Sequence, residues 1–396
     1  MSAALRACLA AILLVHSLQM KAQDNRTQYP GGLTNSYFTV NVGYINYPFT
    51  NANLEPGYTA QSITIPHVAV RIVLFGHQFN KYLSAEVSYM RPVKYAAYYN
   101  INGDKETRHA WMHSGTLTLR SKLPLGSRFG LYGEAGIAVS TRSGFEINNQ
   151  PVMKDVNTAA FAGGAGLEYK LSSKWDFIAG ATIVTGNSKE KQPRTTFISG
   201  GFRLNMRSRT PAQLEAAKSD YIFPRNLIQV GYATNGPGYA VNNFVSKTIP
   251  IFWGGGVEVR RGAALRYQRN VYHTRKVFAF DIGASASYWQ TRINRDEFFT
   301  LSVFPSFRFN VLRTRPLDLY LNYSVAGPSY ISKDKLDGLD TGNGFTFQDF
   351  MGMGVFAGKN RHFNAEININ HYSNGNIFPE NAGVKIPMTF SLGYAF

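Results

Sequence analysis

Apolar and polar side chains alternate along much of this chain with a period of two, which is the periodicity of β-strands. Such segments recur roughly every 15 to 30 residues. In the first half they begin near Ser36, Gln61, Lys81, Ala110, Arg128, Thr158, Lys174 and Arg194. In the second half they begin near Asn226, Gly254, Lys276, Glu297, Leu317, Gly344, Arg361 and Ile386. The pattern predicts an all-β protein with two series of eight strands.

The strand-like segments have an apolar face backed by a polar one. In one of the clearest, Phe299, Leu301 and Val303 alternate with Thr300 and Ser302. Strands of a membrane barrel alternate in this way because one face meets lipid and the other meets a polar lumen. A few acidic residues fall on the predicted inward face, namely Glu134, Glu168 and Asp176. We predict a transmembrane outer-membrane β-barrel, since a secreted β-sandwich would not need so consistent an apolar face.

The alternation stops between the two series. The segment 210–218 predicts a short helix, because Thr210 is a suitable N-cap and Pro211 fits the first turn. We predict two tandem eight-stranded antiparallel barrels on either side of this linker. One barrel of about sixteen strands, interrupted by the helix, is the alternative. The predicted first barrel, linker and second barrel span residues 24–206, 207–225 and 226–396.

The N-terminus and the composition indicate export to the bacterial outer membrane. Arg6 precedes an apolar run from Ala7 to Leu18, so residues 1–23 are predicted to be a secretory signal peptide. The only cysteine, Cys8, lies in that run, which excludes disulfides and thiolate metal sites from the mature chain. No later run reaches the roughly 18 apolar residues of a transmembrane helix. A barrel is the other structure that satisfies its backbone hydrogen bonds in lipid.

The chain is basic, with a formal net charge of +17. Nucleic acid is not expected as a partner in this compartment. Lysine and arginine at the barrel rims are expected either to meet the phosphates and sugar acids of lipopolysaccharide and other outer-membrane lipids, or only to solvate the rim. The eight histidines show no metal-binding spacing, and no cofactor is expected.

The C-terminal segment alternates up to its last residue. Phe390, Leu392, Tyr394 and Phe396 share one face. This ending is similar to the terminal signal that the bacterial barrel-assembly machinery reads, so we expect that machinery as a partner during insertion. A last strand that ends in the periplasm places the preceding loop, 374–385, outside the cell.

The strand that begins near Arg361 ends with two reactive side chains. Its apolar row, which includes Phe363 and Ile369, continues through His371 and Ser373. Side chains at i and i+2 of a strand lie on one face, and a serine hydroxyl becomes nucleophilic when an adjacent base accepts its proton. The pair therefore suggests an enzyme whose substrate is a membrane lipid. The alternative is a histidine and a serine that only hydrogen-bond to headgroups.

The residues around this pair form a recognisable motif. The run His371-Tyr372-Ser373-Asn374 is followed by a loop that contains Asn381-Ala382-Gly383 and by a last strand that ends on Phe396. This arrangement resembles the outer-membrane lipid A 3-O-deacylase (PagL) family. The resemblance is good over about the last fifty residues, looser over the rest of the second half, and absent from the first half.

The resemblance implies a serine esterase that removes the acyl chain at the 3-position of lipid A from the outer leaflet. Ser373 would be the nucleophile and His371 the base. Asn381 would hold the oxyanion together with backbone amides near Asn374 and Gly375. The family needs no metal or cofactor for this reaction.

The chain departs from the family at the third member of the triad. The family has a glutamate twelve residues after the serine, and Lys385 stands there instead. Asp349 is one substitute, because a hairpin that turns around Asn360 would bring it opposite His371. Glu380 is a weaker candidate. Two further arrangements stay open, namely a serine–histidine pair without an acid, and an inactive site in which Lys385 contacts a lipid phosphate.

Two functions are therefore held open. The first is a lipid A esterase with an accessory N-terminal barrel for anchoring, adhesion or partner binding. The second is a non-enzymatic barrel, a porin or a surface-binding protein, that carries a degenerate deacylase site.

Overall fold

The chain folds as two closed barrels, each described here by itself. The computed structural model divides the described residues into Tyr29–Ser208 and Arg209–Phe396, the latter together with the residues up to Gln28. Each unit contains an antiparallel barrel of eight strands. The prediction of two eight-stranded barrels is confirmed, and the single barrel of sixteen strands is not formed. The predicted signal peptide, 1–23, lies outside the described residues, which are 27–148, 150–248, 254–375 and 381–396.

The N-terminal unit contains the first twelve strands of the described chain, eight of which form its barrel. Its barrel closes in the order β1-β3-β4-β6-β7-β10-β11-β12-β1, β2 and β5 extend the sheet from β6, and β8 pairs with β9. Two short 3₁₀ helices, Gly31–Leu33 and Asn51–Asn53, flank β1. The strands are β1 (Ser36–Asn46), β2 (Ala60–Thr64), β3 (Val68–Gln78), β4 (Leu83–Pro92), β5 (Ala96–Ile101), β6 (Arg108–Pro124), β7 (Phe129–Ser143), β8 (Phe145–Ile147), β9 (Gln150–Met153), β10 (Val156–Lys170), β11 (Trp175–Val184) and β12 (Thr195–Met206).

The prediction of a barrel strand that begins near Gln61 is wrong. Gln61 lies in β2, which pairs with β5 beyond the barrel wall, and the barrel strand of this region is β3. Pro66 lies between the two strands. Because proline has no N–H to donate, it does not continue a central ladder. The alternation in this region therefore belongs to two separate strands.

Paired charges fill the interior of the N-terminal barrel. Arg71 donates from its two terminal nitrogens to the two carboxylate oxygens of Glu134, at 2.6 and 3.0 Å. Arg120 and Arg203 both donate to one oxygen of Glu168, at 3.1 and 3.0 Å. The acidic residues with predicted inward positions are all buried, which confirms the prediction for Glu134, Glu168 and Asp176.

Replacing Arg71 with methionine should destabilise the N-terminal barrel. The change leaves the Glu134 carboxylate buried without its bidentate partner, and breaking a buried pair in this way costs about 3 kcal/mol or more. Urea unfolding of the protein in phospholipid vesicles measures the loss. The double variant Arg71→Met/Glu134→Gln removes both charges and should recover most of it. Equal stability of the single variant and the wild type would contradict the assignment.

The C-terminal unit contains the remaining ten strands, eight of which form its barrel. It closes in the order β13-β14-β15-β16-β17-β20-β21-β22-β13, and a short parallel bridge also joins β14 to β22. The small pair of β18 and β19 lies in the connection between β17 and β20. The strands are β13 (Asn226–Thr234), β14 (Val257–His273), β15 (Phe278–Thr291), β16 (Glu297–Arg313), β17 (Leu317–Ile331), β18 (Lys335–Leu336), β19 (Leu339–Asp340), β20 (Phe345–Ala357), β21 (Phe363–Ser373) and β22 (Val384–Ala395).

Two α-helices accompany the C-terminal barrel. The first, α1, is Pro211–Ala216, and the Thr210 hydroxyl caps it by accepting from the Gln213 amide. This confirms the helix predicted for the linker. The second, α2, is Ala240–Thr248, in the connection between β13 and β14. The alternation pattern did not predict it. None of the helices in the described ranges is long and apolar enough to cross a membrane.

The two ends of the C-terminal barrel differ in the length of their connections. Those at one end are short, with residues 274–277, 314–316 and 358–362. Those at the other end include the long segments 235–256, 332–344 and 374–383. Outer-membrane barrels have their long loops outside the cell, so we call this second end the outer end. The wall is apolar, as at Phe363 and Leu392, whereas the lumen holds buried pairs such as Arg266 and Glu366 at 2.8 Å.

Candidate active site

The hairpin of β20 and β21 carries the candidate reactive residues at its outer end. Asp349 is the cross-strand partner of His371, and Phe347 is the partner of Ser373. All four belong to the outward row of their strands, because they alternate with lumen residues such as the fully buried Tyr372. The short turn 358–362 sets this register. A carboxylate, an imidazole and a hydroxyl therefore share one patch of the lipid-facing wall.

A bulge in the neighbouring strand holds the Asp349 carboxylate. Its Oδ1 accepts a 2.6 Å hydrogen bond from the backbone amide of Ala326. Ala326 lies where the register between β17 and β20 shifts, and it has a positive φ of 54°. The bulge turns this amide out of the ladder and toward the carboxylate. Sequence reasoning did not identify Ala326, although the Gly327-Pro328 pair that follows it is a signal for an interrupted strand.

The two ring nitrogens of His371 both face oxygen atoms. Nδ1 lies 3.5 Å from Oδ2 of Asp349, at the long limit of a hydrogen bond, and Nε2 lies 2.9 Å from the carbonyl oxygen of Gly254. A carbonyl accepts only, so Nε2 carries the hydrogen in this contact. Gly383 is needed beside it, because a Cβ there would approach the Gly254 oxygen to 2.7 Å at a φ of 63°.

The contact of Gly254 with His371 was not predicted. The alternation pattern predicts a strand that begins near Gly254, whereas the run Gly254-Gly255-Gly256 precedes β14. Glycine allows the backbone to approach another group closely, and Gly255 packs directly against the Gly383 carbonyl. Three successive glycines before a strand were the available signal.

Ser373 is half-buried at the end of β21, two residues after His371. The described residues contain no hydrogen bond between the Ser373 hydroxyl and the His371 ring. In a triad, the nitrogen remote from the acid takes the proton of the serine, and here that nitrogen, Nε2, contacts Gly254. Proton transfer from Ser373 therefore requires the ring or the glycine segment to move.

The loop after β21 brings the predicted oxyanion residues together. The Asn374 amide donates to the side-chain oxygen of Asn381 at 2.9 Å, which fixes the plane of the Asn381 carboxamide. Gly375 follows with a φ of 64°, and a Cβ there would lie 3.5 Å from the ring of Phe347. The candidate acid Glu380 lies outside the described residues.

Lys385 lies beside His371, but its ammonium contacts residues on the side away from the histidine. The two residues are cross-strand partners between β21 and β22. The Lys385 ammonium lies 3.0 Å from a carboxylate oxygen of Glu258 and 3.5 Å from the side-chain oxygen of Asn243. Across four neighbouring strands, the outward row therefore reads Asp349, His371, Lys385 and Glu258. Lys385, paired with Glu258, therefore occupies the position at which the family has a glutamate.

The loop that leads into α2 is fixed at the same rim. The Tyr239 hydroxyl donates a 2.5 Å hydrogen bond to the carbonyl of Val259. Burial raises the pKa of Tyr239 to about 12, so its hydroxyl keeps its proton at physiological pH. The Tyr239 ring also lies 5.8 Å from the Lys385 ammonium, within the range of a cation–π contact. The described residues contain no group of three histidine, cysteine, aspartate or glutamate side chains that could hold a metal ion.

Two protein families match the chain. The model of the outer membrane protein beta-barrel domain matches residues 8–205, which is half of the chain, and that of lipid A 3-O-deacylase (PagL) matches residues 261–395. The second match confirms the resemblance that the motif around His371 and Ser373 indicated. No protein with a curated function matches.

Solved structures of small outer-membrane barrels are also similar. The outer membrane enzyme PagL is 17% identical with a TM-score of 0.29, over 43% of this chain and 98% of that one. Neisserial surface protein A (NspA) is 16% identical with a TM-score of 0.30, over 43% and 97%. The N-terminal barrel of Pseudomonas aeruginosa OprF is 17% identical with a TM-score of 0.27, over 43% and 98%. The chain belongs to the β-barrel proteins of the bacterial outer membrane, and its C-terminal half resembles the lipid A 3-O-deacylase (PagL) family.

Proposed function

We propose that the C-terminal barrel is an esterase that hydrolyses the 3-O-linked acyl chain of lipid A in the outer leaflet. Ser373 is the nucleophile, His371 is the general base, and Asp349 orients the histidine in place of the family's glutamate. The single observation that carries this proposal is the placement of the Asp349 carboxylate 3.5 Å from His371 Nδ1 on the lipid-facing wall. A carboxylate on such a wall is costly unless it has a partner.

The proposed reaction is acyl transfer in two steps. His371 first breaks its contact with Gly254 and adopts the tautomer with its hydrogen on Nδ1, the nitrogen that faces Asp349. The Ser373 oxygen then attacks the ester carbonyl while the freed Nε2 takes the hydroxyl proton. The tetrahedral intermediate collapses when the 3-hydroxyl oxygen of the sugar leaves with that proton, and an acyl-serine remains. Water then attacks the acyl-serine with His371 again as base, and the fatty acid is released.

The charge that develops on the carbonyl oxygen needs hydrogen-bond donors in fixed positions. The Asn381 side chain is a suitable donor, because its oxygen already accepts from the Asn374 amide and its nitrogen lies at the other end of the group. The backbone amide of Gly375 is the second candidate donor. The Lys385 ammonium is engaged by Glu258, so we assign it no part in the chemistry.

The alternative of a porin is less well supported. Buried, mutually bonded side chains occupy the described lumen of the C-terminal barrel, including Arg266 with Glu366, and Arg308 with Asp281 at 2.9 Å. An eight-stranded barrel has an interior just wide enough for such side chains. We keep export through a signal peptide and insertion by the barrel-assembly machinery as parts of the same proposal, with an accessory role for the N-terminal barrel.

Mass spectrometry of lipid A tests the proposed activity directly. Lipid A from cells that produce the protein should lose the mass of one 3-hydroxyacyl chain, and the corresponding free 3-hydroxy fatty acid should appear in the lipid extract. Cells that carry the empty vector are the control. Identical lipid A spectra from both cell types, with the folded protein present in the outer membrane, would contradict the proposal.

A further inference from the structure

The outward row of β21 is covered where it approaches the reactive residues. On this row Phe363 and Ile367 are 68% and 42% exposed, as expected of side chains that face lipid. The next two residues of the row toward the outer end, Ile369 and His371, are only 4% and 1% exposed. Because outward-facing side chains of a barrel are covered only by something outside the wall, another part of the chain lies against them.

The helix α2 covers this part of the wall. Val245 of α2 packs against Ile369, and both are buried. Tyr323, Met351 and Met388 pack against the same pair. These four barrel residues come from β17, β20, β21 and β22 and lie on the outward rows of those strands. The helix therefore lies on the lipid-facing surface and not over the mouth of the barrel.

Polar contacts fix one side of α2 to the barrel. The buried side chain of Asn242 donates a 2.9 Å hydrogen bond to the carbonyl of Ile386. That carbonyl precedes Pro387, at a point where the register between β21 and β22 shifts. On the same side, Asn243 accepts from Lys385. These contacts set the rotation of the helix about its axis.

The other edge of α2 is apolar and exposed. Val241 and Phe244, one helical turn apart, are 46% and 62% exposed. The edge continues the apolar surface of the barrel, where Ile367 and Phe390 are exposed beside the residues that α2 covers. That wall is the part of the protein that meets membrane lipid, so a helix lying on it meets the same lipid.

We propose that α2 is an interfacial helix whose Val241–Phe244 edge is inserted among the acyl chains of the outer leaflet, where it forms a lipid-binding wall beside His371. A helix of this length lies in the plane of the interface and does not span it. This proposal goes beyond the esterase proposal, because it concerns the binding of acyl chains and needs no turnover. If the esterase proposal holds, α2 is the surface along which the substrate's acyl chain reaches Ser373.

Fluorescence quenching in vesicles tests the insertion. The variant Phe244→Trp is reconstituted in phosphatidylcholine vesicles with or without brominated acyl chains, and its added emission is obtained as the difference from the wild type. The matched control is Ile293→Trp, which places a tryptophan at an exposed position, 67% exposed, in the outer loop between β15 and β16.

Bromolipid should remove about half or more of the emission added at position 244, because an interfacial helix buries its apolar face some 5 to 10 Å deep. Acrylamide in the water should quench the Phe244→Trp emission weakly and the Ile293→Trp emission strongly. A tryptophan at position 244 that bromolipid leaves unquenched and acrylamide quenches as strongly as the control would overturn the proposal. The result does not depend on whether Ser373 catalyses anything.

Discussion

Replacing Ser373 with alanine is expected to abolish the release of 3-hydroxy fatty acid from lipopolysaccharide. Without the hydroxyl no acyl-serine forms, and loss of a serine nucleophile lowers the turnover number by about 10⁴-fold or more in enzymes of this kind. The variant changes one half-buried atom at the end of β21, so the barrel should fold as before. Single-turnover measurements with purified lipopolysaccharide in detergent give the rate.

Ser332→Ala is the matched control for this experiment. Ser332 is also half-buried at the outer end of the C-terminal barrel, where its hydroxyl accepts from the Phe299 amide. It is remote in sequence from the Ser373 segment, and its variant should keep the wild-type rate within about twofold, as expected of a surface change. Persistent release by a folded Ser373→Ala protein would mean that another group is the nucleophile.

Replacing Asp349 with asparagine should reduce the rate by about 10² to 10⁴-fold. The asparagine keeps the size of the side chain and its hydrogen bond with the Ala326 amide, but removes the charge that faces His371 Nδ1. The ring then loses the partner that fixes its tautomer and stabilises its protonated form. The expected loss lies in kcat, whereas KM should change little, because Asp349 acts through the histidine.

Two further variants separate positioning from simple structural support. Asp349→Glu retains the charge and should keep part of the activity, which a purely structural role of residue 349 would not explain. Glu297→Gln makes the same charge change at an exposed position of the outer rim and should leave the rate unchanged. A wild-type kcat in Asp349→Asn would remove Asp349 from the site and favour a serine–histidine pair.

Most of the barrel architecture could be predicted because strand alternation is a local property. A barrel wall requires one apolar and one polar face on every strand, so each segment shows the alternation by itself. The predicted inward positions of Glu134 and Glu168 followed from this alternation. The approximate position of Asp349 opposite His371 could be predicted for the same reason, since a short hairpin turn and a period of two fix the register.

The covering of the site could not be predicted in the same way. The sequence of α2 contains two asparagines and three β-branched residues, which have modest helix propensity. Its stability depends on the packing of Val245 on Ile369 and on the bond from Asn242 to Ile386, which are contacts between distant parts of the chain. The contact of Gly254 with His371 spans 117 residues, and no local pattern encodes it.

The lysine at position 385 bears on the proposed role of Asp349 as the acid of the site. His371 has a neighbour on each side, Asp349 on β20 and Lys385 on β22. The family spacing considers only the neighbour that follows in sequence. Because the cross-strand partners on both sides lie within reach of a side chain, a carboxylate on either strand can face the imidazole. The missing glutamate therefore does not by itself exclude an acid at the site.

The order in which the C-terminal barrel closes has a consequence for when its chemistry becomes available. The segment that contacts His371 precedes the second strand of the barrel, whereas His371 lies in the seventh and Gly383 directly before the eighth. These parts meet only when β22 pairs with β13 and completes the ring. A chain that is still open therefore lacks the contact of Gly254 with His371, so the arrangement of the outer end described above exists only in the closed barrel.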